Sequence, residues 1–73
     1  VEKGGGEMSD DFDDFTALQK MEAAEREVKQ RMRVYPRLIS QGKMTREQAT
    51  YQTDIMRAIA RDYFQLSVKE RLL

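Results

Sequence analysis

Cysteine and histidine are both absent from this chain. Without thiols there can be neither disulfides nor thiolate metal sites. Without imidazole, the usual zinc ligand and the usual general base are missing. Proline occurs once, at Pro36, and glycine four times, three of them consecutive at residues 4–6. No run of about 18 apolar residues exists, the length a membrane-crossing helix needs. The amino terminus is acidic and lacks an apolar stretch, so it does not read as a secretory signal peptide. The expectation is a soluble protein of a reducing cytoplasm, with no membrane partner.

Size is also in short supply. The sequence has 73 residues, enough for one small domain. A domain of this size buries roughly 60% of the surface its unfolded chain exposes, and its core rarely supplies more than about 3–5 kcal/mol. With no disulfide or metal to help, self-association is the natural route to further stability.

What the chain has in quantity is charge, 13 basic and 13 acidic residues. The net is zero but the distribution is polar. Residues 1–14 sum to −5, residues 15–28 to −1, residues 29–46 to +6 with no acid, and residues 47–73 balance. Such a dipole along the sequence is the most informative feature of the composition.

Residues 1–10, VEKGGGEMSD, carry no periodicity and are expected to be disordered. Gly-Gly-Gly-Glu-Met back-translates to a purine-rich tract before a start codon, the form of a bacterial ribosome-binding site. The natural start is therefore expected at Met8. Mass spectrometry of the natively expressed chain tests this, and a longer intact chain would refute it.

Residues 11–73 are expected to form one all-α domain, a hairpin of two long helices. Leu18, Met21, Ala24, Val28, Met32, Tyr35 and Ile39 recur at steps of three and four, which is the helical period. Ser9 or Asp10 is placed to cap this helix, and the acids after it suit a helix start. Glu22–Arg26 and Glu25–Lys29 have the spacing of supporting ion pairs. Pro36 should kink or end the helix, because proline lacks the amide and clashes one turn back. Tyr35, Leu38 and Ile39 keep the apolar phase, which favours the kink.

Gly42 then offers the left-handed residue that commonly closes a helix. Thr45-Arg46-Glu47-Gln48 reads as a capping box, with Met44 before it as a hydrophobic staple. A second stripe follows, Ala49, Ile55, Met56, Ile59, Tyr63, Leu66 and Leu73, so a second helix is expected from about Thr45 to Lys69. Tyr51 and Phe64 fall off that stripe and point to a second buried face. The candidate oligomer interface is thus Tyr51, Ile55, Ile59, Tyr63, Phe64 and Leu66. A homo-oligomer, a dimer before larger forms, would cover it as a helical bundle.

The run Arg31-x-Arg33-Val34-Tyr35-Pro36-Arg37-Leu38-Ile39-x-x-Gly42-Lys43-Met44-Thr45-x-x-x-Ala49 resembles a family of short bacteriophage and prophage proteins. These share a basic run into VYPR, a Gly-basic-Met-Ser/Thr turn, and then a helix. Ile55-Met56-x-Ala58-Ile59 with Asp62-Tyr63 extends the likeness, so it spans roughly Glu25 to Tyr63. The resemblance implies a phage or prophage setting in a bacterial host and an accessory role. It implies no catalytic activity and no cofactor.

No motif points to catalysis. Gly42-Lys43-Met44-Thr45 lacks the several convergent glycines and preceding strand of a phosphate loop. No Asp occurs between Val28 and Asp54, so a calcium loop is excluded there. Asp10, Asp11, Asp13 and Asp14 suit a solvated helix start better than a metal site. Ser and Thr have no histidine to activate them. The expected sets of catalytic, cofactor-binding and metal residues are therefore empty.

The basic segment has two readings. Lys29, Arg33, Arg37, Lys43 and Arg46 can follow a phosphate backbone, with Tyr35 as a stacking surface. The same charges can instead be solvated, or neutralised by the acidic amino terminus. Zero net charge favours the second. The chain reads as a self-associating, non-enzymatic interaction or scaffolding module, with accessory nucleic-acid binding as the alternative.

Overall fold

The computed structural model describes residues 14–72, and these form two helices, α1 (Ala17–Ser40) and α2 (Arg46–Leu72), packed as an all-α helical hairpin. The expected Ser9 and Asp10 caps, the 1–10 arm and Leu73 lie outside the described residues.

Helix α1 starts at Ala17, later than the acidic run led one to expect, and Thr16 is its cap. Thr16 is extended (φ −75°, ψ 161°). Its hydroxyl accepts from the Gln19 amide at 3.0 Å, and the Gln19 side-chain oxygen accepts from the Thr16 amide at 2.9 Å. Thr45 and Gln48 repeat this reciprocal box at α2, with the same distances. The signature Thr-x-x-Gln thus opens both helices, satisfying amides that have no partner within the helix.

Pro36 does not end α1, which runs through it to Ser40. Proline cannot donate to the Met32 carbonyl, but Pro36 lies on the exposed side while Tyr35, Leu38 and Ile39 are half-buried and tie the last turns to α2. Termination falls to Gly42, at φ +72°. The Gly42 amide donates to the Ile39 carbonyl at 3.0 Å and the Lys43 amide to the Leu38 carbonyl at 2.9 Å. This is the Schellman closure, in which a left-handed residue lets the chain reverse and satisfies the last carbonyls. Met44, next to the second cap, is half-buried as a staple residue would be.

The most deeply buried side chains between the helices are small. On α1 the protected positions include Ala17, Met21, Ala24, Val28, Arg31, Tyr35 and Leu38; on α2 they include Ala49, Thr53, Met56, Ala60, Tyr63 and Ser67, with Lys20, Val34, Ile39, Ala58 and Val68 also half-buried beside these series. Both series advance in alternating steps of three and four, a heptad-like seam. Its fully buried members are Ala17, Ala24, Ala49, Ala60 and Ser67. The Ser67 hydroxyl donates to the Phe64 carbonyl at 2.7 Å, so its burial leaves no polar group unpaired. No large side chain among the described residues is fully buried.

This arrangement corrects the expected phase of α2. Of the apolar stripe, Met56 and Tyr63 turn toward α1, but Ile55, Ile59 and Leu66 are exposed, and Thr53, Ala60 and Ser67 take inward positions. On α1, Leu18 and Met32 are likewise exposed. Ion pairing differs too. Among the described residues the i,i+4 pair that forms is Glu27–Arg31, at 2.9 Å, rather than Glu22–Arg26 or Glu25–Lys29.

Candidate functional site: an unpartnered apolar face and a basic closed end

The fully buried seam positions are alanine and serine, while several bulky residues of α2 stand on its exposed flank. Tyr51, Ile55, Ile59 and Leu66 recur at steps of four, four and seven, so they share one flank of α2. They are 62, 42, 37 and 44% exposed. Tyr63 borders this flank, half-buried, and lines a shallow depression with Ile59, Asp62 and Leu66. The Lys20 ammonium lies over the Tyr63 ring, 5.5 Å from its centre, a cation–π contact that fixes this edge of the face.

Phe64 does not belong with them. It lines a groove on the opposite flank with Val28, Lys29, Met32, Arg57 and Arg61. There the Arg57 guanidinium donates to the Met32 sulfur at 3.2 Å and pairs with Asp54 at 3.7 Å. The expected six-residue interface therefore divides into a five-residue face around Ile59 and a separate groove at Phe64.

Arg31 is a cross-link that periodicity did not reveal. Its side chain is only 17% exposed and its Nε bonds Glu27 at 2.9 Å, while a terminal nitrogen donates to the Gln52 carbonyl of α2. A guanidinium has enough donors to serve both partners at once. Among the described residues, this is the side-chain hydrogen bond to a main-chain oxygen that joins the two helices. The cue in the sequence was Glu27–Arg31 spacing combined with the heptad step Val28–Arg31–Tyr35.

The remaining bases gather toward the closed end of the hairpin. Lys29, Arg33 and Arg37 follow one another at steps of four along the outer side of α1, and Lys43 and Arg46 continue around the turn. All five are exposed, and among the described residues none has a carboxylate within 4.0 Å. Arg33 donates to Gln30 instead. Tyr35, expected as a stacking surface beside them, is half-buried on the seam side of α1.

Among the described residues there is no group of three or more metal-ligating side chains, and no helix is long and apolar enough to cross a membrane. Asp10, Asp11 and Asp13 lie outside the described residues. In comparison with known proteins, no family model, no curated protein and no solved structure matches this chain.

Proposed function

We propose that this chain is a small, non-enzymatic interaction or scaffolding module that works as a homo-oligomer, a dimer first. The observation that supports this is the inversion of α2. A hairpin of two helices has given its fully buried α2 positions to Ala49, Ala60 and Ser67 while Tyr51, Ile55, Ile59 and Leu66 stand in solvent. Contiguous exposed apolar surface of this kind is characteristic of a binding face, and a second hairpin is the simplest cover for it in a helical bundle. The phage or prophage setting, in the cytoplasm of a bacterial host, rests on the VYPR and Gly-Lys-Met-Thr resemblance. Replacing Ile59 and Tyr63 together by Glu is expected to yield monomers with reduced helicity by circular dichroism. Assembly and helicity equal to those of the unaltered chain would overturn the proposal.

A second reading is favoured by one specific feature. Arg33, Arg37, Lys43 and Arg46 form an exposed basic end without carboxylate partners among the described residues, suited to accessory contacts with a nucleic-acid backbone. Four phosphate contacts predict a log–log salt slope of about −3.6 on duplex DNA. Absence of binding at low salt would remove this reading.

A further inference from the structure

We infer that the groove opposite the Ile59 flank receives an amphipathic helix of a different protein, one that carries carboxylates beside its apolar stripe. This gives the interaction module proposed above a second surface and a partner chemistry, and it does not rest on self-association.

The groove runs along much of the hairpin. Toward the open end it lies between Val28 and Met32 of α1 and Ala60 and Phe64 of α2. Toward the closed end it continues between Pro36 and Ile39 of α1 and Ala49 and Thr53 of α2. Met32 and Arg57 line both parts, which makes them one continuous groove. From Glu25 to Ile39 it is about 21 Å long, the length of about 14 helical residues. Met32 and Phe64 are 53 and 51% exposed. Large apolar side chains left open together along a groove mark a binding surface, and methionine adapts its shape to what it covers.

The walls favour a helix as occupant. Both are helices whose lining residues recur at steps of three and four, leaving furrows that the ridges of a third helix fill. An extended segment would lay its amides and carbonyls against walls whose backbone groups are already bonded within α1 and α2. Its own polar groups would lose water and gain no partner. A helix satisfies its own backbone and brings only side chains to the groove.

Charge specifies the rest. Lys29, Arg57 and Arg61 edge the groove, against Glu25 and Asp54. Arg57 reaches across it to the Met32 sulfur at 3.2 Å, a weak acceptor. Its approach to Asp54, 3.7 Å, is too long for a hydrogen bond, and Arg61 comes no nearer than 3.9 Å to Asp62. Each guanidinium has five donors, so most of them are left to water. A carboxylate on the incoming helix is a far stronger acceptor, able to take two of them at once. A second copy of this chain does not supply that complement. Residues 14–72 hold twelve bases and eight acids, so its described surface repeats the same excess. A nucleic-acid strand fits less well, because Phe64 is the one exposed ring along the groove and Glu25 and Asp54 interrupt the cations.

The chain has no tryptophan, so Phe64→Trp in the full chain places a single fluorophore on the groove. It is titrated with three helical peptides of about 14 residues, enough to fill the groove. One carries a leucine stripe flanked by glutamates, one has lysines in place of the glutamates, and one scrambles the first to break the stripe. Emission should shift to the blue and saturate with the glutamate peptide alone. Arg57→Gln with Arg61→Gln, both at exposed positions, should weaken that peptide about three- to tenfold. Arg57→Glu with Arg61→Glu should transfer the preference to the lysine peptide, with helicity by circular dichroism retained. Equal saturation by glutamate and lysine peptides, no saturation by any, or an affinity unmoved by the Gln pair would overturn the inference. So would an emission shift produced without peptide, whether by raising protein concentration, by changing Asp10, Asp11 and Asp13 to Asn, or by a short oligothymidylate. Those results assign the groove to a second copy, to the chain's own amino-terminal residues, or to nucleic acid. Sedimentation reads the Ile59 flank separately, so failure here leaves self-association standing.

Discussion

Replacing Ala60 by Leu probes where α2 meets α1. Ala60 is 7% exposed and sits midway along the seam, level with Ala24 of α1. A larger side chain there must displace its close neighbours on α1 or turn out into the groove that Ala60 lines with Val28, Met32 and Phe64. Overpacking of that kind typically costs about 1–3 kcal/mol. Against a total stability of only about 3–5 kcal/mol for a core of this size, the loss is a large fraction. With a urea slope near the low end of the range, about 1 kcal/mol/M, the unfolding midpoint should fall by about 1–3 M. Denaturation followed by circular dichroism at several protein concentrations measures this, concentration being varied because association itself stabilises. The control is Ile59→Leu, a volume-conserving change on the outer flank, which should cost under about 1.5 kcal/mol. The apolar pattern alone places Ile55, Ile59 and Leu66 against α1, and on that arrangement Ala60 is peripheral. An Ala60→Leu protein as stable as the parent, or more so, would refute the seam described above.

Thr16→Ala and Thr45→Ala should each cost about 1 kcal/mol through loss of a capping box, and the two losses should add, because the caps lie at opposite ends of the hairpin; a neutral result at either would contradict the reciprocal bonds. Gly42→Ala should destabilise by about 1 kcal/mol for its left-handed backbone. No atom lies within 4 Å of the added methyl, so the cost is conformational, and Gly42→Asn should lose less; a stabilised alanine variant in the same denaturation assay would rule out the left-handed closure. Arg31→Met keeps the aliphatic stem but removes the bonds to Glu27 and Gln52, and should cost about 1–2 kcal/mol; equal or greater stability would show that the cross-link contributes nothing.

Local signals carried much of this fold and tertiary ones did not. The turn was legible because Gly42, Thr45 and Gln48 act through their immediate neighbours, and the same Thr-x-x-Gln signature at Thr16 marks the true start of α1. The acidic residues ahead of it drew attention to an earlier start because Asp also favours helix beginnings. The direction of α2 was hidden for a different reason. Periodicity weights bulky residues, so it follows Ile55, Ile59 and Leu66, whereas close packing of two helices selects Ala49, Ala60 and Ser67. Small, fully buried residues leave little hydrophobic trace in one dimension. Arg31 was obscured similarly, since a base within a basic run looks like surface until Gln52 is seen across from it. The division of Phe64 from the Ile59 face needed three dimensions as well, because Tyr63 and Phe64 are adjacent in sequence yet border opposite flanks.

Sedimentation equilibrium of the unaltered chain, from about 1 µM to about 0.1 mM, tests the central claim most directly. At the upper limit even a micromolar dissociation constant, about −8.2 kcal/mol, gives an almost fully associated protein. The mass should approach twice the chain's 8.6 kDa as concentration rises, with no growth beyond the dimer. A mass that stays at one chain across the whole range would contradict it.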